Sequence, residues 1–447
     1  MQFKQYPSYK NSGVEWLGDV PEHWESNRLK KYLIERNEKN SPIKTDNLLS
    51  VTMYQGVIPV SEKQGNGGNK PKENLENYKI SYPNDIVLNS MNVIVGSVGL
   101  NKYTGLISPA YYALYNRNKN NNIKFFSYIF HNPFFQKGLF GLGNGIMYKE
   151  SEDGKLNTIR LKIPMEKLNQ VVLPCPSISE QNQIVAFLDT ETARIDNLIS
   201  KQEKLIELLE EQRKSIISHA VTKGLNPDAP MKDSGVEWLG EVPEHWNLKP
   251  IKFLAKTNQL TLAENTDENY EIQYVDIGSV SRTNGIEKIE TILFKDAPSR
   301  ARRIVKDGDI IVSTVRTYLK AIAYIENPPK NLIVSTGFAV LNPIRTVIFP
   351  QYAKFTFLAE QFIAEVIAKS KGISYPAITA TELADIKIAL PPLNEQKVIL
   401  QYLLEENLKM NKLISKQNQL IEKLKEYRAS IISHAVTGKI DVREFGA

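Results

Sequence analysis

Ser12-Gly13-Val14-Glu15-Trp16-Leu17-Gly18, then Asp19, then Val20-Pro21-Glu22-His23-Trp24, returns as Ser234 to Trp246 with one change, Glu241 for Asp19. The shift between these copies is 222 positions. A second pair lies downstream: Leu198-Ile199-Ser200-Lys201-Gln202 recurs as Leu413 to Gln417, and Ser215 to Thr222 recurs as Ser430 to Thr437, a shift of 215. The stretch between the repeated blocks is therefore seven residues shorter in the second copy. The order is short motif, variable block, helical block, and then the same three again. An internal repeat of this length decides the architecture before any local reading does.

The helical blocks carry the clearest periodicity. Glu180 to Thr222 and Glu395 to Thr437 contain neither Gly nor Pro. An apolar stripe steps by fours and threes through Ile184, Leu188, Ile195, Leu198, Leu205, Leu209 and Ile216, and again through Ile399, Leu403, Met410, Leu413, Leu420, Leu424 and Ile431. That rhythm of about 3.5 residues is the seam of a coiled coil. Glu191 and Gln202, like Glu406 and Gln417, interrupt both seams at matching places, and a polar seam residue fixes register at a cost in stability. Pro174 and Pro176, or Pro391 and Pro392, precede Ser179 or Asn394 as expected N-caps, and Gly224 and Gly438 follow the ends. A helix of some 42 residues is about 60 Å long at 1.5 Å per residue. If the two helices pair within the chain, connectivity requires them to run antiparallel with one variable block at each end. The tail of each helix then returns beside a copy of the Ser-to-Trp motif, giving a pseudo-two-fold object closed almost into a circle.

The variable blocks, about 25–172 and 247–389, share only a faint pattern: Asp85-Ile86-Val87-Leu88 against Asp309-Ile310-Ile311-Val312, and Pro109-Ala110-Tyr111-Tyr112 against Thr336-Gly337-Phe338-Ala339. Simple drift after duplication does not leave a frame nearly unchanged while its inserts diverge, so the pattern indicates a common frame carrying two specificities. In the first block β-type runs are expected at Leu48–Met53, Ile86–Leu88, Val93–Val98 and Ala110–Tyr115, with a helix near Lys124–Phe130. In the second they are expected at Tyr274–Ile277, Ile310–Thr314, Ala321–Tyr324 and Phe338–Leu341, with one helix near Tyr352–Ala368. Each block reads as a compact α+β domain.

Two segments suit a polyanion. Residues 299–320 hold Arg300, Arg302, Arg303, Lys306, Arg316 and Lys320 against Asp307 and Asp309, a local surplus of +4. Arg316-Thr317-Tyr318 follows an expected strand, where a turn can present guanidinium and phenol to base edges or phosphates. In the first block the polar loop Ser61 to Lys70 offers Lys63, Gln64, Asn66 and Lys70, side chains that pair with guanine and adenine edges. The bland alternative for each is a solvated surface, since exposed Lys and Arg are common.

Composition narrows the rest. Lys+Arg 56 against Asp+Glu 50 gives a net charge of +6, which permits a polyanionic partner without requiring one. With 42% hydrophobic and 24% charged residues the chain is ordinary globular protein. Cys175 stands alone, which excludes a disulfide framework and a thiolate zinc site. The start, Met1 to Pro7, has no apolar core of a secretion signal, and no apolar run approaches the ~20 residues of a membrane span. The expectation is a soluble, cytoplasmic chain without membrane contact. Asn327-Pro328-Pro329-Lys330 is like the Asn-Pro-Pro-aromatic loop of adenine methyltransferases but ends in Lys; Phe140 to Gly145 lacks the strand–turn–helix context of a nucleotide loop. Four of five histidines, His23, His245, His219 and His434, belong to the repeated frame, and His131 has no evident metal partners. Neither a catalytic residue nor a metal site is expected.

Taken together, the two Ser-to-Trp motifs, the Pro-rich exits before Glu180-Gln181 and Glu395-Gln396, and the two Leu-Ile-Ser-Lys-Gln helices resemble the specificity subunit of Type I restriction-modification enzymes over essentially the whole chain. The resemblance implies an α+β fold: two similar mixed α/β target-recognition domains separated by two long antiparallel coiled-coil helices. Their expected bounds are 1–178 and 225–393 for the domains, 179–224 and 394–438 for the helices, and 439–447 for a tail packed near the first motif. It implies that each domain reads one half of an asymmetric bipartite site on double-stranded DNA, while the helices set the gap and dock two modification (methyltransferase) subunits. S-adenosylmethionine, ATP and Mg then belong to the modification and ATP-dependent restriction subunits, and no cofactor to this chain. Half-sites read from one face lie about one helical turn, ~34–36 Å, apart. Two alternatives stay open: the recognition subunit of a related system that fuses cleavage and methylation in its partner, which the partner's gene distinguishes, and a coiled-coil protein scaffold. Salt-sensitive, sequence-selective DNA binding separates the scaffold from the other two.

Overall fold

The computed structural model describes the chain except residues 1–2, 53–54, 64–73, 147–148, 151–155, 158–159, 283, 373–374 and 446–447. It divides into two compact units, Met1–Gln202 with Asn418–Ala447, and Glu203–Gln417. Both long helices, Ile178–Lys223 and Leu393–Val436, contribute residues to each unit.

The first unit is built on a four-stranded antiparallel sheet in the order Leu33–Arg36, Tyr111–Asn116, Ile86–Asn89, Val98–Leu100. Ile86-Val87-Leu88 is buried on both faces, so apolar residues run without alternation. The pleat then distributes them: Ile86, Leu88 and Leu114 join a core with Phe125, Phe126 and Phe130, while Val87 and Ala113 join another with Leu49, Val51 and Val57. Two helices follow the sheet, Ile123–Phe130 and Pro133–Gly138. They are separated by His131 and Asn132, whose side chain caps the second helix by accepting from the Phe134 amide at 2.8 Å.

The second unit repeats this plan. Its sheet runs Ala255–Thr257, Phe338–Pro343, Ile310–Ser313, Ile322–Tyr324, again antiparallel. Ile310, Val312 and Leu341 face a helical core with Tyr352, Phe357 and Phe362; Ile311 and Val340 face Val275, Val334 and Ile325. What differs lies against that second face. There the second unit carries another four-stranded sheet, in the order Glu290–Leu293, Glu271–Val275, Leu332–Ser335, Ala301–Ile304, with one parallel pairing. Among the described residues the first unit has there the hairpin Leu49–Thr52 with Gly56–Pro59 and the pair Lys79–Ser81 with Gly105–Ile107.

Several expectations need correction. The run Val93–Val98 is not one strand: Val93–Val95 is a 3-10 turn ended by Gly96 at φ +84°, and the strand starts at Val98. Val93, Ile94 and Val98 are buried inside a chain reversal that leaves Val95 exposed. The strand expected at Tyr274–Ile277 is Glu271–Val275, with a 3-10 turn at Ile277–Ser279. The single helix near Tyr352–Ala368 is two, Pro350–Phe357 and Glu360–Lys369. Phe357 and Ala359 lie about 200° apart on a continuous helix, yet both are buried, and the break at Leu358-Ala359 makes that possible. The long helices begin at Ile178 and Leu393, ahead of Ser179 and Asn394. At the first, Ser177 just after Pro176 provides the cap, its hydroxyl accepting from the Glu180 amide at 3.3 Å.

In the first unit Gln183 donates to the Arg443 carbonyl at 3.2 Å and Asp196 pairs with Arg428 at 2.8 Å. In the second, Arg213 bonds Asn411 at 2.6 Å, and Gly224 lies beside Glu395. Within each unit rising numbers on one helix meet falling numbers on the other, so the segments are antiparallel. Ile184, Leu188, Ile195, Ile399, Leu403, Met410 and Ile431 are buried, and Leu198, Leu209, Ile216, Leu424, Gln202 and Gln417 half-buried. Leu205, Leu413 and Leu420 depart from the seam, at 38%, 42% and 41% exposure, while Ile421 is 6% exposed. A straight helix drifts about 20° per heptad from a 3.5 repeat, and at this level Ile421 is buried in place of Leu420 before Ile431 returns to the seam. Among the described residues no helix is long and apolar enough to cross a membrane.

Candidate nucleic-acid interface

The repeated frame fixes where each variable domain sits on its helix. Tyr9–Asn11 pairs with Asp19–Pro21, and Met231–Asp233 with Glu241–Pro243, in the same register. The turns match atom for atom: Asn11 accepts from the Gly13 amide and Asp233 from the Gly235 amide, at 2.8 and 2.9 Å. Each hairpin delivers a fully buried indole, Trp24 or Trp246. Trp24 donates to Glu180 at 2.9 Å and Trp246 to Glu395 at 3.1 Å; His23 and His245 meet the other carboxylate oxygens at 3.1 and 2.8 Å. The next residue ties the exit to the domain: Gln181 bonds the Pro176 carbonyl and the Asn122 amide, and Gln396 the Pro391 carbonyl and the Phe349 amide. The Glu-Gln dipeptides and, of the four histidines of the frame, His23 and His245 are thus clamp residues. The helix ends close the clamps, with Gly438 against Pro21 and Trp24, and Gly224 against Pro243 and Trp246. An isolated bridge, Lys4 with Asp441, brings the C-terminal tail to the first motif.

Above the clamps, the faint sequence pattern marks equivalent strands. Asp85 and Asp309 open them, accepting from the Tyr82 and Lys306 amides at 2.9 and 2.7 Å. Asp85 also takes a forked pair from Arg36, whose guanidinium lies between the Tyr82 and Tyr115 rings. Asp309 accepts from Asn342 instead, and its burial raises its pKa against the opposing pull of Asn342 and Lys306. The connections leaving these strands have equal length, 90–97 and 314–321, but different character. Val93 and Ile94 are buried and Gly96 takes the left-handed position. In the other, Arg316 and Lys320 take left-handed conformations at φ +51° and +52°, and Tyr318 is 51% exposed.

The basic residues of 299–320 fall on two sheets. Arg302 and Arg303 lie on the edge strand Ala301–Ile304, directly after Arg300, while Arg316, Tyr318 and Lys320 lie on the connection from Ile310–Ser313. Arg300 pairs with Asp276 at 3.0 Å, Arg302 packs over Phe294, and Arg303 donates to Thr261 at 3.2 Å. Lys320 shares Glu360 with Arg282. Burial would raise the Glu360 pKa, but the bonds from Arg282 and Lys320 outweigh it and lower it. Lys63 closes the turn Val60–Glu62 with its amide; Gln64, Asn66 and Lys70 lie outside the described residues. Sequence reading missed Tyr375, whose ring lies 5.1 Å from the Arg316 guanidinium. The Tyr375-Pro376 step after Gly372 signals a loop, with nothing to pair it with Arg316.

Phe140–Leu142 is a 3-10 turn running into a strand at Asn144–Ile146, which is not the setting of a nucleotide loop. Among the described residues no group of three His, Cys, Asp or Glu side chains could hold a metal ion.

Residues 243–423 match the family model of the Type I restriction modification DNA specificity domain. Over 463 aligned positions the chain is 25% identical to a putative type I restriction enzyme MjaX specificity subunit of Methanocaldococcus jannaschii, covering 99% of each. It is 26% identical to the MjaVIII specificity subunit of the same organism, over 61% of this chain and 63% of that one. Among solved structures, a chain studied for complex assembly and conformational transition of the type I R-M system superposes with a TM-score of 0.63 at 14% identity, covering 93% of this chain and 98% of that one. The HsdS subunit from Thermoanaerobacter tengcongensis gives a TM-score of 0.50 at 15% identity, covering 94% and 98%.

Proposed function

We propose that this chain, which belongs to the family of Type I restriction-modification specificity subunits, reads double-stranded DNA with its two units and carries out no chemistry itself. The observation that carries this reading is one clamp and one sheet order, used twice beneath unlike loops. A scaffold that meets one partner twice has reason to repeat its contact loops; a reader of two different half-sites has reason to repeat only what holds the loops. The site is therefore bipartite and asymmetric. Lys63, Gln64, Asn66 and Lys70 contact one half, and Arg300, Arg302, Arg303, Arg316, Tyr318 and Lys320 the other. Lysines and arginines supply salt-dependent phosphate affinity, and a few side chains supply choice.

The long helices set the spacing between half-sites and dock two modification subunits; apolar residues left exposed on the second helix, Val398, Leu404 and Leu408, support a protein partner there. S-adenosylmethionine, ATP and Mg belong to the modification and restriction subunits. The test is long-read methylation sequencing of DNA from cells expressing this chain with its modification subunit. A bipartite methyladenine motif that disappears when this chain is omitted is the expected result. A soluble assembled complex that leaves no motif overturns the reading. A heptad inserted into Ile178–Lys223 should lengthen the gap or abolish assembly, and an unaltered gap removes the helices from the ruler role.

A further inference from the structure

We infer that Arg316, lying over the Tyr375 ring, is the guanine-reading element of the second unit; the inference rests on the DNA-recognition role proposed above. Of Arg300, Arg302, Arg303, Arg316 and Lys320, Arg316 alone makes no side-chain hydrogen bond or ion pair with the described residues. Among the described residues its guanidinium lies over the Tyr375 ring, itself 66% exposed. A ring beneath the guanidinium carbon holds the side chain in place without taking up its N–H groups. Those groups match the O6 and N7 acceptors of guanine in the major groove, where arginine bonds in a fork. An arginine held this way loses less rotamer freedom on binding.

The backbone beneath is over-determined. Thr314 donates to the Gly337 carbonyl at 2.8 Å and accepts from the Ile378 amide at 2.9 Å. Val315 bridges Ala377, and the buried Thr317 hydroxyl donates to Ser370 at 2.8 Å. These bonds join the turn at 314–320 to the segment that carries Tyr375. They hold Arg316 and Lys320 in left-handed conformations that side chains other than glycine avoid. Strain of this kind persists where the surroundings enforce it and gathers at functional sites. Around Arg316, Val315, Tyr318 and Leu319 stay exposed, an apolar rim suited to thymine methyls and sugar faces. The equal-length connection 90–97 has no cation, so the element belongs to one half-site only.

The test uses the full chain co-expressed with its modification subunit, with the methylated motif mapped by long-read sequencing for wild type, Arg316→Ala, Arg316→Lys and Tyr375→Ala. Arg316→Ala should reduce discrimination at one guanine of one half-site by about 10- to 100-fold, leaving the other half unchanged. Arg316→Lys keeps the charge without the fork and should relax the same position. Tyr375→Ala should keep the preference but slow methylation of the cognate site. A wild-type motif unaltered by both Arg316 variants overturns the inference, as does a bipartite motif in which neither half-site contains a G·C pair. A wild type with no bipartite motif sinks the recognition reading instead. Should Arg316→Ala not assemble, Arg316→Lys decides alone.

Discussion

The connections 90–97 and 314–321 leave equivalent strands, span equal lengths and return into equivalent strands, yet they put opposite things on the surface. The first turns inward: Val93 and Ile94 are buried, and Gly96 takes the left-handed corner that glycine adopts without cost. The second turns outward, with Arg316, Tyr318 and Leu319 exposed and a lysine at the corner where the first has glycine. A stable corner uses the residue that suits its backbone. A corner shaped for binding keeps the residue its partner needs and relies on neighbouring hydrogen bonds to hold it. Below both, the Trp–Glu clamps are nearly superimposable in chemistry, because a frame has one task and each reader its own.

The comparison can be broken most severely at the clamps. Trp24→Ala and Trp246→Ala each remove a fully buried indole and should cost about 3–5 kcal/mol in urea unfolding. Near-equal costs are expected, and a large inequality would show that the clamps are alike only in geometry.

The closing glycines separate the copies. A Cβ on Gly438, at φ +71°, collides with the rigid Pro21 ring, whereas on Gly224, at φ +75°, it meets Trp246 at 3.2 Å. Gly438→Ala should cost about 2–4 kcal/mol, combining a left-handed alanine with overpacking, and Gly224→Ala about 1–2 kcal/mol. Thermal unfolding of both variants ranks them.

At the hairpin corners only one of the two substitutions should cost stability. Gly96→Ala places its Cβ in ordinary contact with Gln136, so the penalty is backbone conformation alone, about 1 kcal/mol. Lys320→Gly relieves that conformation while losing the pair with Glu360, and its unfolding midpoint should stay within about 0.5 kcal/mol of wild type. A Lys320→Gly variant destabilised as much as Gly96→Ala breaks the account of the strained corner.

The smallest expected effect concerns the helix junctions, where the first unit has His131 and the second has Leu358. Burial, aided by Arg428, pushes the His131 imidazole down to about 4. The unfolded imidazole takes up its proton near pH 6.5, before the folded one does, so stability is full above that and falls as pH drops toward 4. Hydrogen exchange should show acid weakening of the helices Ile123–Phe130 and Pro133–Gly138 that His131→Leu abolishes, with no counterpart at Leu358.

Much of this was legible in residues alone, and particular elements show why. The repeat announced two equivalent units, and the period of the apolar stripe announced the long helices, since burial along a helix must recur near every 3.6 residues. Asp85 and Asp309 aligned because both open a strand by accepting an amide three residues back. The helix break at Leu358-Ala359 was not legible, because Phe357 and Phe362 satisfy an apolar pattern with or without it. Nor was the loss of Leu420 from the seam, which depends on how little the helix supercoils.

The sequence by itself determined that one frame occurs twice, that two long helices follow the variable blocks, and that no glycine or proline interrupts them. These are local and periodic properties, set by chain chemistry within a few turns or by repetition. Only the tertiary structure decided which cations pair with a carboxylate, as Arg300 does with Asp276 and Lys320 with Glu360, and that Arg316 lies over a tyrosine ring. Arg316 and Tyr375 are far apart along the chain, and they meet because Val315 and Ala377 are bridged. Partnership across such a distance is set by packing, and composition carries no record of it.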